Sequence, residues 1–585
     1  MNLKSFYAQL RVSTFCHDFL LRGLHFTFLS TTTMKLVGMS LMMVVRVAGS
    51  VIRALDGFGH PVAWWTVLKL PAHVQSSMNN VSSTPCDCPI SDCRNVPTDG
   101  WPPLAQRATG LCYLYADSQN PKFRYFRDIG YECLGQGGKD PVSQTLKQKN
   151  DKSSPYWAVF NDQLNGIAEA FHPDLDVQVD DEKWICGGRD DFSAHAKGAV
   201  VFEKNGTGGF FFQTSTPNYP DPTLDDAFVR LGCQVDNNVH FAQHMLALSL
   251  EDSELKTLGE NLQLARLCSG NFYLNGTLHD RLGSATLFND GAKQENTSAA
   301  AFYRALLDPN LPAQQASDPM KAAFRLQLST RTITSATNKS QVFEPLSENP
   351  NLLKFGDKDE ILVLVKSPRA AVPPWALVAE LLESDVSVAS WWDGSCGIPS
   401  ICAGDIFLNS PNEFCLNNPQ TGVELKADGS APFNIENLLQ ATWQLNDGSA
   451  NLTWQLVGGQ VPDGNHAKWG LTTPRSGQLN SSNAYVIFGD LNMEGFPCSK
   501  TCDGSQAGRG GSFFSLMHPS LHTSLATSVI SRACRCVATP SPDTTLPAYE
   551  ALRMCHHGCL KKIEKHLEPS DLPALSANAS SFWTK

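Results

Sequence analysis

The sequence predicts a mixed-sheet α/β or α+β protein built as two sandwich lobes related by a pseudo-two-fold axis. Three observations carry that expectation. The chain has 585 residues, more than one hydrophobic core usually supports. Apolar β-type runs at 64–70, 199–202 and 361–365 alternate with helix-like stretches at 300–307 and 375–382, the pattern of sheets covered by helices. The tripeptide His-Ala-Lys occurs twice, as His195-Ala196-Lys197 and His466-Ala467-Lys468, and each copy is followed by an apolar strand-like run and an asparagine, Asn218 or Asn492. The two His-to-Asn spacings, 23 and 26 residues, nearly match.

Taken in order, residues 1–53 read as a leader. Met34-Lys35 opens a signal-like segment: one basic residue, the apolar run 36–45, then small residues around Ala48-Gly49-Ser50 or Ala54, as in a secretory signal with its cleavage site. Residues 1–33 would then lie upstream of that signal, as an early start codon would leave them. An amphipathic organellar transit peptide is the alternative, favoured by Arg11 and Arg22 but opposed by the downstream cysteines. The apolar run falls short of the roughly 20 residues that cross a bilayer, so no stable membrane anchor is expected.

Residues 54–309 form the expected N-terminal lobe with the first triplet, and 310–538 the C-terminal lobe with the second. The stretch 310–350, rich in Ser, Thr and Asn, reads as an inter-lobe insertion. Residues 539–585 read as a Pro-rich linker and a helical tail, with Cys555 and Cys559 one turn apart and no catalytic role. Such a repeat lets one chain do what a homodimer would otherwise do, so a monomeric pseudo-dimer is expected.

Cysteine usage supports the secretory pathway. Seventeen of 18 cysteines lie beyond residue 80, a density suited to an oxidising compartment. Zinc is the competing account, but Cys86-Asp87-Cys88 with Cys93, the pair Cys498 and Cys502, the pair Cys534 and Cys536, and Cys555-His556-His557-Gly558-Cys559 share no regular zinc spacing. Structural disulfides are expected instead, with one thiol left over from the odd count. Eight Asn-x-Ser/Thr acceptors, at Asn80, Asn205, Asn275, Asn296, Asn338, Asn451, Asn480 and Asn578, fit a glycoprotein.

The paired triplets suit phosphodiester cleavage with no cofactor and no metal. One imidazole attacks phosphorus and forms a phosphohistidine, splitting a hard displacement into two easier ones. The other protonates the departing oxygen and then activates water, since its ordinary pKa of about 6.5 lets it hold or release a proton. Lys197 and Lys468 would meet the non-bridging oxygens. On a strand, residues i and i+2 share a face, so His-x-Lys points a ring and an ammonium at one phosphate. Fifteen His and 25 Lys give about 0.6 such triplets by chance, so the triplets alone decide little. The reading requires the two rings to lie within about a nanometre of each other and neither to be sealed beneath packed side chains.

Wider segments carry a resemblance to deoxyribonuclease II, whose fold and His-Lys motifs are similar to those of the phospholipase D superfamily. Gly59-His60-Pro61-Val62-Ala63-Trp64-Trp65-Thr66-Val67-Leu68-Lys69-Leu70-Pro71 resembles the family's opening strand; Tyr113-Leu114-Tyr115 and Phe160-Asn161-Asp162-Gln163 resemble two further segments. His195-Ala196-Lys197-Gly198 leads to Ser215-Thr216-Pro217-Asn218-Tyr219-Pro220; His466-Ala467-Lys468-Trp469 leads to Gly489-Asp490-Leu491-Asn492 and Arg509-Gly510-Gly511. These matches run in family order from about residue 55 to 535. The resemblance implies two phospholipase D-like lobes, catalysis by His195, Lys197, His466 and Lys468, DNA bound with Asn161, Asp162, Gln163, Asn218, Asp490 and Asn492, 3′-phosphate products, and a lysosomal or secreted setting. Asp490 would serve by orienting a histidine rather than by holding a metal, and His195 is favoured as nucleophile. Two departures stand out. Ala196 and Ala467 replace the family's frequent Thr or Ser, removing a hydroxyl from the phosphate, and Gly470 stands where a cysteine is common, so one familial disulfide would be missing or rerouted.

Charge bears on the conditions of activity. The chain carries a formal −11 at pH 7, and removing six basic and one acidic side chain with residues 1–53 leaves about −16, a repulsive balance for a polyanion. Charging the 13 histidines beyond the leader near pH 5 brings this to about −3, so activity is expected to be confined to acid. No Gly-x-Ser-x-Gly, His-Glu-x-x-His or Walker-type loop offers another chemistry. The alternatives to an acid endodeoxyribonuclease are a phospholipase D-like phosphodiesterase acting on another ester and a catalytically inactive secreted family member.

Overall fold

The largely apolar runs at 64–70, 199–202 and 361–365 become strands buried on both faces, which is why they do not alternate between apolar and polar residues. A computed structural model describes residues 52–71, 74–76, 88, 108–151, 155–162, 194–204, 208–217, 219–220, 231, 241–265, 267, 273–274, 277–278, 297–307, 323–329, 360–368, 370–391, 400–409, 413–417, 423–446, 448, 450–456, 464–473, 483–493, 506–534 and 536. Residues 1–51 of the leader, the expected boundary near 310 and the tail after 538 lie outside the described residues, whereas Ile52 is buried and Arg53 Nη2 meets Glu251 Oε1 at 2.9 Å.

In chain order the strands are β1 (Trp64–Lys69), β2 (Gln75–Ser76), β3 (Tyr113–Asp117), β4 (Arg124–Tyr125), β5 (Tyr156–Asn161), β6 (Lys197–Phe202), β7 (Gly209–Thr214), β8 (Gln243–Leu250), β9 (Tyr273–Leu274) and β10 (Thr277–Leu278). They continue as β11 (Ala323–Ser329), β12 (Glu360–Lys366), β13 (Asp385–Ala389), β14 (Ile435–Gln444), β15 (Asn451–Gln455), β16 (Trp469–Thr473), β17 (Tyr485–Gly489), β18 (Gly511–Met517) and β19 (Ile530–Ala533). One seven-stranded sheet runs β4-β3-β1-β8-β7-β6-β5, and one ten-stranded sheet runs β11-β12-β18-β17-β16-β13-β14-β15-β2 with β19 on β14. Pairing is antiparallel except between β13 and β14. The fold is therefore mixed α+β, two multi-strand sheets with few helices.

Period-two alternation explains how one strand serves two layers. Ile361, Val363 and Val365 of β12, with Val486, Phe488, Phe514 and Leu516, face the core shared with the first sheet. Leu362 and Leu364, with Tyr485, Ile487 and Phe513, face a second core under the helix Pro374–Leu381. Phe211 meets Phe514 across the sheets at 5.1 Å. That helix opens with Pro at its first turn, where no N–H is needed, and the expected helix near 300 forms as Ser298–Leu307.

All seven described cysteines are disulfide-bonded: Cys88 with Cys133, Cys402 with Cys536, and also Cys112, Cys415 and Cys534. This favours the disulfide account of those positions over zinc. Gly470 sits where a Cβ would come within 2.8 Å of the Ser387 carbonyl oxygen and 2.9 Å of the Trp375 ring, leaving a side chain little room. Asn451 is exposed on β15; the other seven glycan acceptors lie outside the described residues. No described helix is long and apolar enough to cross a membrane.

Candidate active site

Both His-Ala-Lys triplets sit just before or at the start of a strand, β6 or β16, and each is stitched to the other half of the chain. Ala194 bridges Gly510 and Asn465 bridges Ala242, both in parallel sense. The backbone N–H of His195 donates to Gly510 O at 2.9 Å, and that of His466 to Ala242 O at 2.8 Å. The side chains repeat the exchange. His195 Nδ1 lies 2.9 Å from Asp490 O, and His466 Nδ1 lies 3.0 Å from Ser215 O. A carbonyl only accepts, so each Nδ1 carries the proton and each Nε2 keeps its lone pair.

Around His195 the charges are dense. Lys197 Nζ lies 3.4 Å from His195 Nε2 and 2.6 Å from Asp162 Oδ1. Arg509 Nη2 meets Asp162 Oδ2 at 2.9 Å, and His195 Nε2 is 3.9 Å from the same oxygen. Burial pushes the Asp162 carboxyl up, but Lys197, His195 and Arg509 together outweigh it and hold it well below the usual carboxylate range. Burial, then Lys197, lowers the His195 pKa well below its ordinary value, with Lys468 and Arg509 adding and Asp162 opposing. Lys197 is lowered by burial against the pull of Asp162.

Around His466 no carboxylate takes part among the described contacts. Gln243 Oε1 lies 3.3 Å from Nδ1, and Lys468 Nζ donates to His466 O at 2.9 Å. The 3.4 Å approach of Lys468 Nζ to Nδ1 brings two donors together and is not a hydrogen bond. Burial, then Lys468, Lys197 and His195, depress the His466 pKa, with the Ser215 carbonyl opposing. Each ring thus feels the other triplet's lysine, as convergence on one site requires. Trp391 and Phe241 flank His466 with ring centres 5.0 and 6.1 Å away. The backbone N–H of Lys468 donates to His244 Nδ1 at 3.0 Å; burial, then Lys468, lowers that histidine's pKa.

Access is narrow. His195 is 5% exposed and His466 4%, with Lys197 and Lys468 at 1%, so both rings lie largely beneath packed side chains. Among the other expected site residues, Asn161 is buried and donates to Tyr219 O at 3.3 Å. Asp490 turns its carboxylate inward, accepting from Gln213 Nε2 at 2.8 Å and from Ser512 N and Oγ at 2.8 and 2.7 Å. Burial raises its pKa to about 6 despite those bonds. What Asp490 presents to the site is its backbone carbonyl, which orients His195. The Asn492 side chain is buried with both its oxygen and its nitrogen lacking a protein partner. Gln163 and Asn218 lie outside the described residues. Sequence reasoning passed over Gln213, Gln243 and His244, which carry no motif, and Arg509 was quoted only within Arg509-Gly510-Gly511. Among the described residues no group of three or more His, Cys, Asp or Glu has a metal-binding arrangement.

A search of curated proteins returned no match. The family profile described as Deoxyribonuclease II matches residues 101–534, well over half the chain and inclusive of both triplets. The chain belongs to the deoxyribonuclease II family, nucleases that act on DNA.

Proposed function

We propose that the protein is an acid endodeoxyribonuclease that cleaves DNA without a metal, through a phosphohistidine, and leaves 3′-phosphate ends. The observation that carries this is the reciprocal seating of the two imidazoles: each is fixed at Nδ1 by a carbonyl from the other half, leaving two Nε2 atoms among Lys197, Lys468 and Arg509. Lys197 and Arg509 pair with one firmly ionised carboxylate, Asp162, while Lys468 acts on both rings, and this positive charge suits a phosphodiester monoanion in a weakly screened site.

In the first step Nε2 of one histidine attacks phosphorus and a P–N bond forms. The P–O5′ bond breaks, and the other imidazolium gives its Nε2 proton to O5′. Water then attacks phosphorus, surrendering a proton to that second ring as the P–N bond breaks, and a 3′-phosphate departs. We assign the attack to His195, whose Nε2 lies 3.4 Å from Lys197 Nζ and 3.9 Å from Asp162 Oδ2; burial and nearby cations lower the pKa of both rings, so a pH profile and not the pKa directions decides between the two roles. His466 is then the acid. Asn492, with an unpartnered buried amide, is a neutral group for the bound strand.

The matching strand runs β1-β8-β7-β6-β5 and β12-β18-β17-β16-β13 support two phospholipase D-like lobes about a pseudo-two-fold axis, folded as one monomer. A lysosomal or secreted setting accords with the disulfides. Plasmid nicking at pH 5 with chelator present tests the reading: supercoiled DNA is cut, products carry 3′-phosphate, and His195→Ala or His466→Ala each reduces the rate by roughly 10³-fold or more. Retained cutting in either variant, or abolition by chelator, overturns it. Cleavage of a lipid phosphodiester but not DNA would favour the phospholipase-like alternative, and folded protein inert toward both would mark a lineage that has lost catalysis.

A further inference from the structure

Two lysines outside the triplets occupy equivalent places in the two sheets. Lys69 ends β1 and pairs with Gln243 of β8; Lys366 ends β12 and pairs with Gly511 of β18. Both are buried, at 1% and 0% exposure. Burying an ammonium at a strand end is costly where a valine would pack as well, so their partners matter. Lys69 Nζ donates to its own neighbour Leu70 O at 3.2 Å and to Phe241 O at 2.7 Å. Lys366 Nζ donates to its own neighbour Ser367 O at 3.2 Å, to Arg509 O at 2.8 Å and to Ala507 O at 2.6 Å.

The long-range acceptors sit beside the histidine docking points. Phe241 precedes Ala242, whose carbonyl receives the His466 N–H; Arg509 precedes Gly510, whose carbonyl receives the His195 N–H. We propose that Lys69 and Lys366 are paired positioning residues that act crosswise, Lys69 clamping the turn that seats His466 and Lys366 clamping the turn that seats His195. The inference rests on the reading of these histidines as the reacting groups. Lys366 has three carbonyl acceptors, enough to engage all three N–H bonds of an ammonium. Burial pushes its pKa down to about 7, which leaves it protonated in acid. Arg509 gives the clamp a second consequence, since its guanidinium holds Asp162 and also donates to Ala194 O at 3.4 Å.

Backbone hydrogen exchange of the full chain at pH 5, read at the His195 and His466 amides, tests the crossed pattern in Lys366→Met, Lys366→Gln, Lys69→Met and Lys69→Gln. Lys366→Met is expected to speed exchange at His195 by about tenfold and leave His466 within about twofold, and Lys69→Met to do the reverse. Each Gln variant, retaining two donors, should recover part of the protection. Plasmid cleavage should fall by roughly 10- to 100-fold in kcat with KM for DNA little changed, because a displaced imidazole weakens the reaction more than binding. Equal acceleration at both amides, no acceleration at either, or failure of all four variants to fold would make these lysines general struts of the core and overturn the proposal. The exchange pattern does not depend on turnover. If His195→Ala still cuts DNA, the catalytic reading fails while the crossed clamp stands; if His195→Ala is dead and the exchange is not crossed, only the clamp fails.

Discussion

Replacing Asp162 by Asn separates the roles of the two histidines. The carboxylate stands 3.9 Å from His195 Nε2, and at an effective dielectric of about 20 two unit charges at that separation interact by roughly 4 kcal/mol. That bounds the effect at about three pKa units, and carboxylate neighbours of this kind usually move a pKa by about 1–3. Asp162 opposes the other influences on His195 directly, whereas it reaches His466 only through Lys197, so the His195 ring is perturbed more. With His195 as nucleophile, Asp162→Asn moves the acidic limb of the kcat/KM profile down by about 1–3 units and moves the alkaline limb less. Initial rates of plasmid nicking from pH 3 to pH 8, with chelator, read both limbs. Displacement of the alkaline limb alone would exchange the two roles, and a profile with neither limb moved would refute the electrostatic argument. The substitution also leaves Lys197 and Arg509 without their shared counter-charge, a loss of about 3–5 kcal/mol for a broken buried pair. The folded pKa of Asp162 is depressed, so this stabilisation is complete above the unfolded carboxyl value and is lost only as pH falls through the lower folded one. Near pH 5 it is fully present.

Further outcomes follow from the same contacts. His195, His466 and His244 are all held neutral by burial; the unfolded chain binds more protons below about pH 6.5, so Tm of the ligand-free protein should fall from pH 7 to pH 5, and an unchanged Tm would contradict it. Asp490, raised to about 6, works in the other direction, its stabilising effect fading as pH rises through 6. Asp490→Asn should therefore be tolerated better at pH 7.5, where the parent has lost that contribution, than near pH 5, measured as the difference in Tm from the parent at each pH. At Gly510 a Cβ would stand 1.9 Å from Ala265 O; Gly510→Ala must move backbone, costing roughly 1–3 kcal/mol, and a denaturation midpoint equal to the parent's would show that the turn yields freely.

The strands were legible because burial on both faces imposes an apolar composition that survives in a one-dimensional reading: residues 361–365 are hydrophobic throughout, and 64–70 are so except for Thr66 and Lys69. The triplets were legible through their repeat and spacing. What the partners do was not. Asp162 was expected to meet DNA, yet its two oxygens are engaged by Lys197 and Arg509, and the second lies 347 positions away in the chain. Asp490 was expected to orient a histidine through its side chain, yet it is the backbone carbonyl that lies 2.9 Å from His195 Nδ1, an atom every residue possesses and no sequence pattern marks. Lys69 and Lys366 look like ordinary strand-end lysines until the sheets bring Phe241 and Arg509 beside them. The α/β alternation foretold covered sheets but not their nearly all-antiparallel pairing, because strand direction is set by connections that composition does not encode.

A chain with a formal charge of −11 that acts on a polyanion needs its positive charge concentrated and its chemistry held for acid. Lys197 and Lys468, each 1% exposed, act on both imidazoles, and the partly buried Arg509 acts on His195; at such buried positions a fixed charge acts more strongly than on a wet surface. The same burial that strengthens those charges lowers both imidazole pKa values, so the proton needed by the leaving oxygen becomes available only as pH falls. The proposed acid dependence would then have two separable sources: relief of long-range repulsion, which salt screens, and protonation of one buried ring, which salt hardly touches. If raising ionic strength at pH 7 restored the acid rate, repulsion alone would account for the dependence; if the loss above pH 6 persists in high salt, the titrating imidazole is its cause.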